Sequence, residues 1–303
     1  MSTETLTVPA ASPRRLSAEQ RPRGEASTPA ARVRLIVAHV CIYLAALIFV
    51  APLVYAFFSA LKPNNEMFSM PPTLIGSEVR WSNFADVFAY GPFLTYIGNS
   101  FLVAIAGTLV VLIVSTTAGY AFGRLRWKGR DAVFVLFLAT LMVPAEVLVI
   151  PMFQVMQWFS WVDTYQALIL PFAFGAFGTF LMRQFFRGIP YELEEAARVD
   201  GAGPIRAFLQ IILPLSKSAV AVLAVFTFLS FWNSYLWPLI VTVDYTAHGT
   251  LPVGLASFAG LTGTRWDLQM AAAIISMVPT TVLVIVLQKH LVKGIAMAGL
   301  GGR

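Results

Sequence analysis

The sequence predicts an all-α integral membrane protein with six transmembrane helices, and three observations carry that prediction. Only 12% of the 303 residues are charged and 58% are hydrophobic, with a mean hydropathy of +0.74. A soluble domain carries about 25% charged residues, so this chain cannot cover a water-facing surface. Apolar runs recur at close to or above the roughly 20 residues that a bilayer span needs. Finally, the cations fall almost entirely in alternate connecting segments, the pattern of a chain that crosses a membrane repeatedly.

Residues 1–34 are rich in Pro, Ser, Thr, Ala and Arg without apolar periodicity, and read as a disordered tail. The run over 35–61 is too long for a signal-peptide core of about 7–15 residues, so it reads as an uncleaved first span. Residues 62–92 are punctuated by Lys62-Pro63-Asn64-Asn65 and Pro71-Pro72, and form a folded or surface-lying loop. Further spans are expected at 93–122, 131–153, 164–182, 218–241 and 267–288, the third holding Pro144 and Pro151 inside or at its end. Together these make one six-helix transmembrane unit over 35–290. A polar helix-turn-helix at 183–217 interrupts it, and a short basic tail over 291–303 follows.

Six spans place both termini on one side. That side carries the six arginines before residue 35, Arg124, Arg126, Lys128, Arg130, Arg183, Arg187, Arg198, Arg206, Lys217, Lys289, Lys293 and Arg303. Opposite lie only Lys62, Arg80 and Arg265. Cation excess marks the cytoplasmic side, so both termini and 183–217 are expected there. The net charge of +6 is then loop bias, not a nucleic-acid footprint.

Catalytic chemistry is missing. No Gly-Lys dipeptide occurs, so there is no G-x-x-x-x-G-K-[ST] loop and no nucleotide site of the chain's own. His39, His248 and His290 are scattered over three segments, and Cys41 stands alone, so no metal cluster is expected. Within the spans, Glu146 is the one carboxylate well inside, about fifteen residues and thus about 22 Å along the third helix. It either lines a water-filled path or is hydrogen-bonded between helices near the outer face. Trp232, Tyr235 and Trp237 stand where the fifth span ends. They form an interfacial aromatic belt or, with Asn233, face a passage for a hydroxylated solute. Asn99 and Ser100, early in the second span, are similar candidates.

The most polar stretch of the second half is Tyr191–Pro214. Pro190 suits a first helical position, and Glu192, Glu194 and Glu195 then sit where the helix dipole favours anions. Ala196 and Ala197 leave a bare face that another protein can approach. Asp200-Gly201 stops the helix, with Gly201 free to take positive φ. Pro204 opens a second helix, and Pro214 ends it.

Glu195-Ala196-Ala197, three residues, Gly201, nine residues, Ile211, one residue, Leu213-Pro214 resembles the EAA loop of binding-protein-dependent ABC importer permeases at every fixed position. Asn99-Ser100, Asp200-Gly201-Ala202, WNSYLWPLIVT at 232–242, LPVGL at 251–255 and QKHLVKGIA at 288–296 are similar to the MalG-type carbohydrate subfamily. The resemblance spans roughly 35–300. It implies a type I importer in a bacterial-type plasma membrane. A second homologous permease subunit completes the pore as a heterodimer. Two ATPase subunits bind ATP and Mg, and an extracytoplasmic binding protein delivers solute. No cofactor is implied in this chain itself, and membrane lipid surrounds the spans. Glu194, Glu195, Ala196, Ala197, Asp200, Gly201 and Ala202 become the ATPase-coupling residues, driving alternating access. Two other readings stand beside carbohydrate import. One is the same machinery moving a sugar phosphate such as glycerol 3-phosphate, a polyamine or an amino acid. The other is a stand-alone membrane carrier or enzyme, which requires paired ionisable groups in the spans.

Overall fold

The computed structural model describes residues 29–260 and 263–300, so the expected disordered tail lies outside the described residues up to 28, as does the end of the chain beyond 300. The chain divides at Val54 into two units. The first contains most of α1 (Pro29–Ala60), which starts earlier than the expected 35 and continues through Pro52 without a break.

In the second unit, α2 (Ser82–Tyr90) precedes α3 (Phe93–Gly123), the long helix against which the others assemble. α3 packs along α7 (Ala176–Arg187) and α11 (Lys217–Trp232), and α11 packs in turn on α15 (Trp266–Leu300). Among the described residues, three helices are long and apolar enough to cross a membrane, six if each of three bent helix pairs makes one span.

Those bends divide stretches that the sequence reading takes as single helices. The 131–153 helix is two pieces, α4 (Arg130–Ala139) and α5 (Val149–Trp158), each extended by a 3₁₀ turn, and the break between them bends the path by 92°. Val143 is extended at φ −86°, ψ 119°, as the ring of a following proline, here Pro144, favours. The 164–182 helix is likewise α6 (Tyr165–Ile169), a 3₁₀ turn through Pro171, and α7, bent by 46°. It runs on to Arg187, into the stretch read as a polar helix-turn-helix. The fifth span stops at Trp232, and α12 (Leu236–Val241) restarts after a gap at 233–235. Pro238 lacks the N–H that would continue the ladder, and its ring would crowd the carbonyl four residues back. The sixth span continues as helix to Leu300 through residues read as tail.

Three apolar clusters surround α3. Phe93, Tyr96 and Ala104 meet Trp232, Leu251 and Leu268 near one end. Val103 packs with Met156, Leu168 and Trp237. Tyr120 joins Met182, Phe186, Phe208 and Leu223 toward the other end. The 62–92 loop is ordered by its own polar groups. Lys62 is buried and donates to the Thr73 carbonyl, and Asn83 Nδ2 donates to Ala60 O at 2.9 Å and Lys62 O at 3.0 Å. The Ser77 hydroxyl and amide hold the Glu66 carboxyl below the usual carboxylate range. A two-residue antiparallel ribbon, β1 (Ala259–Gly260) with β2 (Gly263–Thr264), completes the fold before α15.

Candidate coupling site

α8 (Glu192–Val199) is an eight-residue helix with Glu192, Glu194 and Glu195 in its first turn. It starts two residues after Pro190, with Tyr191 rather than the proline at its N-terminal boundary. Its end is a complete Schellman turn. Gly201 has φ +80°, its N–H donates to Arg198 O at 3.0 Å, and the Ala202 N–H donates to Ala197 O at 2.8 Å. The left-handed residue lets both donors fold back onto carbonyls that the helix leaves unpaired. Beyond it the chain runs through α9 (Pro204–Ala207), a π turn at Phe208–Ile212 and α10 (Leu213–Leu215). From there it turns by 77° into α11. The second helix of the expected helix-turn-helix is therefore a π-distorted arm, bent where Pro214 removes a helical donor.

The motif residues separate into two faces. Glu195, Ala196, Asp200 and Gly201 are exposed, and Ala202 is half-buried. Glu194 and Ala197 are buried. The alanine pair is thus not one bare face: Ala196 is open and Ala197 packs inward. Leu193, Val199, Ile205 and Leu209 are exposed beside the outward motif residues, Val199 at 88%. The exposed surface of this loop thus mixes large apolar side chains with charges of both signs, Arg198 and Arg206 among them, a composition suited to a protein contact.

Glu194 faces Arg124, which follows the last residue of α3. The Glu194 Oε1 and Arg124 Nε atoms are 3.3 Å apart, with the two side chains 3% and 0% exposed. Arg124 Nη2 donates to Ile189 O at 2.6 Å, and its guanidinium lies 4.1 Å from the centre of the Tyr191 ring. Sequence reasoning counted Arg124 only as one cation of a basic loop. Its partner lies on a distant segment, and nothing local marks it. Arg183 was likewise only counted. It donates to Phe122 O at 3.2 Å and Asp131 Oδ1 at 3.1 Å, and stacks 3.9 Å from the Phe134 ring.

The path candidates also divide. Asn99 is buried, donates to Ala247 O at 2.8 Å and Gly249 O at 2.9 Å, and accepts from the Tyr165 hydroxyl at 2.8 Å. Ser100 Oγ accepts from the Leu251 amide at 2.7 Å. These two side chains fasten the chain around 247–251 to α3 and leave little for a solute. Trp232 is buried, with Nε1 donating to Ser276 O at 3.1 Å and its ring stacked on Phe228. Trp237 is buried and donates to Ala167 O at 2.8 Å. Both tryptophans join helices and form neither an interfacial belt nor an open ring face. Glu146 lies in an exposed 3₁₀ turn just after the first bend, not within a continuous helix. Asn233 and Tyr235 are exposed at the α11–α12 gap. Broken backbone at membrane depth must face protein or water, because lipid cannot satisfy its polar groups.

Asn99→Leu is expected to lower the thermal midpoint of the detergent-solubilised subunit. Two buried carbonyls and a tyrosine hydroxyl lose their partner, each costing about 1–3 kcal/mol. A melting series with Asn233→Leu as the exposed comparison checks this.

Residues 115–297 match the family of binding-protein-dependent transport system inner membrane components, and the chain belongs to that family. It is therefore a membrane transport subunit of ABC importers, in which ATP is hydrolysed by partner subunits. Among curated proteins it is similar to the sn-glycerol-3-phosphate transport system permease protein UgpE of Yersinia enterocolitica, with 38% identity over 268 residues, covering 86% of this chain and 95% of that protein. The corresponding Escherichia coli O1:K1 protein is 36% identical over the same shares. Its fold resembles that of a bacterial ABC transporter involved in the import of the acidic polysaccharide alginate, with TM-score 0.75, 23% identity, and 86% and 98% of the two chains covered. A second alginate transporter structure, in complex with an alginate pentasaccharide-bound periplasmic protein, gives TM-score 0.64 at 16% identity, over 84% of this chain and 93% of that one.

Proposed function

We propose that this chain forms one half of the pore of an importer for an uncharged carbohydrate and receives its drive through α8. The observation that carries the coupling assignment is α8, closed by its Schellman turn at Gly201, with Glu195, Ala196, Asp200 and Gly201 presented outward. In this reading a second homologous permease subunit completes the pore and two ATPases bind ATP and Mg beneath it. An extracytoplasmic binding protein brings the solute, and this chain holds no cofactor. Both termini and α8 face the cytoplasm in this reading, which the cation distribution supports.

Charge favours a neutral solute over an organophosphate. The three cations on the outer side are all engaged: Lys62 is buried on the Thr73 carbonyl, Arg80 pairs with Glu78, and Arg265 pairs with Asp267. The one ionisable path candidate is a carboxylate, Glu146. At 4 Å and an effective dielectric of about 20, two like charges repel by about 4 kcal/mol. A second reading, sn-glycerol 3-phosphate, is supported by the UgpE relatives.

The deciding experiment screens the cognate binding protein against neutral sugars and sn-glycerol 3-phosphate by thermal shift, then measures ATP-dependent uptake in vesicles holding the whole transporter. A sugar is expected to bind and be carried, and uptake of the phosphate ester alone would select the second reading. In the same vesicles Glu146→Ala and Asn233→Ala are expected to raise KM for uptake severalfold. Unchanged substrate kinetics would remove both from the path.

A further inference from the structure

We infer that the buried Arg124–Glu194 pair is the positioning joint that makes α8 and α3 move as one body, carrying displacement of the coupling helix into the pore. This rests on the reading of α8 as the ATPase contact and adds what carries motion away from that contact.

Eight residues make a marginal helix on their own, since isolated helices need about 12–15 residues to persist. α8 therefore borrows its rigidity, yet only Glu194 and Ala197 of its side chains are buried. Ala197 supplies one methyl group. The rest of the grip comes from the last turn of α3. Arg124 holds Ile189 O ahead of α8, the Tyr191 ring at its start and the Glu194 carboxylate within it. The Tyr191 hydroxyl donates to Gly123 O at 3.4 Å, and the Tyr120 hydroxyl donates to Pro204 O at 3.1 Å beyond the Schellman turn. One helical turn thus holds the chain before, within and after the coupling helix. The same α3 packs along α7 and α11, so a push on α8 is a push on the packed spans.

Stability alone does not account for the pair. Although Nε and Oε1 are 3.3 Å apart, Arg124 Nε, Arg124 Nη1 and Glu194 Oε1 have no hydrogen-bond partner among the described residues. A buried ion pair so incompletely satisfied stabilises less than apolar side chains of the same volume. Fixing register is the best-attested use of such a pair, because charge ties two particular positions together where apolar contacts slide. A pair with unused hydrogen-bonding capacity can also tighten in one conformation of the transporter and slacken in another, which is what biases a two-state element.

The test uses the whole transporter in vesicles, with the cognate binding protein purified carrying its bound solute. The readout is the stimulation of ATP hydrolysis by that protein, a signal that crosses the membrane from the outer face to the ATPases. A cysteine at position 199, in a background where Cys41 is alanine, reports docking by cross-linking to the ATPase. Arg124→Gln and Glu194→Gln are each expected to keep the cross-link and reduce stimulation by about tenfold, within the range of about 5–150-fold that couplings between sites span. The exchange Arg124→Glu with Glu194→Arg is expected to restore part of it, because the pair is remade while the contacts of Arg124 with Ile189 O and the Tyr191 ring are lost. Undiminished stimulation in cross-linked single variants overturns the inference. Where the single variants do not assemble, Arg124→Met with Glu194→Leu removes both charges without leaving either one buried alone. Full stimulation there overturns the inference, and loss supports it. Absence of the cross-link in the parent overturns the ATPase contact itself, and the joint with it.

Discussion

Gly119→Val is expected to lower the thermal midpoint of the detergent-extracted subunit steeply and to reduce its abundance in the membrane. A Cβ at Gly119 would stand 2.7 Å from Met182 Cβ and 3.0 Å from the Arg183 backbone nitrogen. Neither atom can swing aside, because both are anchored to the α7 main chain. α3 and α7 must therefore separate, or one must bend. Gly178 tightens the same seam from the other side, where a Cβ would collide with the Ser115 hydroxyl. Separation also pulls Arg183 from the Phe122 carbonyl it holds at 3.2 Å. Forced overpacking costs about 1–3 kcal/mol and occasionally more, and a β-branched side chain lies at the upper end. Alanine recovers about 0.5–1 kcal/mol of helix propensity, so Gly119→Ala should fall between the parent and the valine variant. Gly98 on the same helix is exposed with nothing within 4 Å of its added Cβ, so Gly98→Ala should be neutral or mildly stabilising. Thermal melts of detergent-extracted protein order the four, and a valine variant that melts with the parent would refute the close α3–α7 seam.

The apolar, helical membrane character of the chain was legible because apolar length is imposed by the bilayer itself, whatever the neighbouring helices do. Their breaks were not legible. Pro52 and Pro279 sit inside unbroken helices, whereas the breaks lie at Pro144 and around Pro214. The residue type is the same, and the outcome depends on whether neighbours re-satisfy the freed carbonyl. The turn at Gly201 was legible because it is local: a helix, a stop and a left-handed residue need no distant partner. The direction of Glu194 was not, because the cation that buries it belongs to the end of α3. Trp232 and Trp237 misled for a similar reason. Aromatic residues at the end of a span look alike in sequence whether they meet lipid or hydrogen-bond the carbonyls of Ser276 and Ala167.

Gly201→Val is expected to abolish uptake while leaving a folded, inserted subunit, and the magnitudes separate it from Gly119→Val. Among the described residues nothing lies within 4 Å of a Cβ built at Gly201, so no clash reaches the core. The cost is conformational. At φ +80° an ordinary L-residue is disfavoured by about 1–2 kcal/mol, and a β-branched one is a genuine outlier there. That is small against a total stability of about 5–15 kcal/mol, yet the strain falls wholly on the two hydrogen bonds that end α8. At about 1.4 kcal/mol per factor of ten, the correct turn becomes a minority conformation before the fold is threatened. Asparagine tolerates the left-handed region, so uptake should decline in the order Gly, Asn, Ala, Val. Glu195→Arg provides the complementary case. The residue is exposed, and reversing its charge beside the helix dipole costs only about 0.3–1 kcal/mol. Too small to unfold anything, that change can stop uptake only through a contact made by the outer face of α8. Vesicle uptake measured at matched subunit abundance, with the cross-link at position 199 to follow docking, decides the matter. Normal transport by both variants would remove α8 from the drive path.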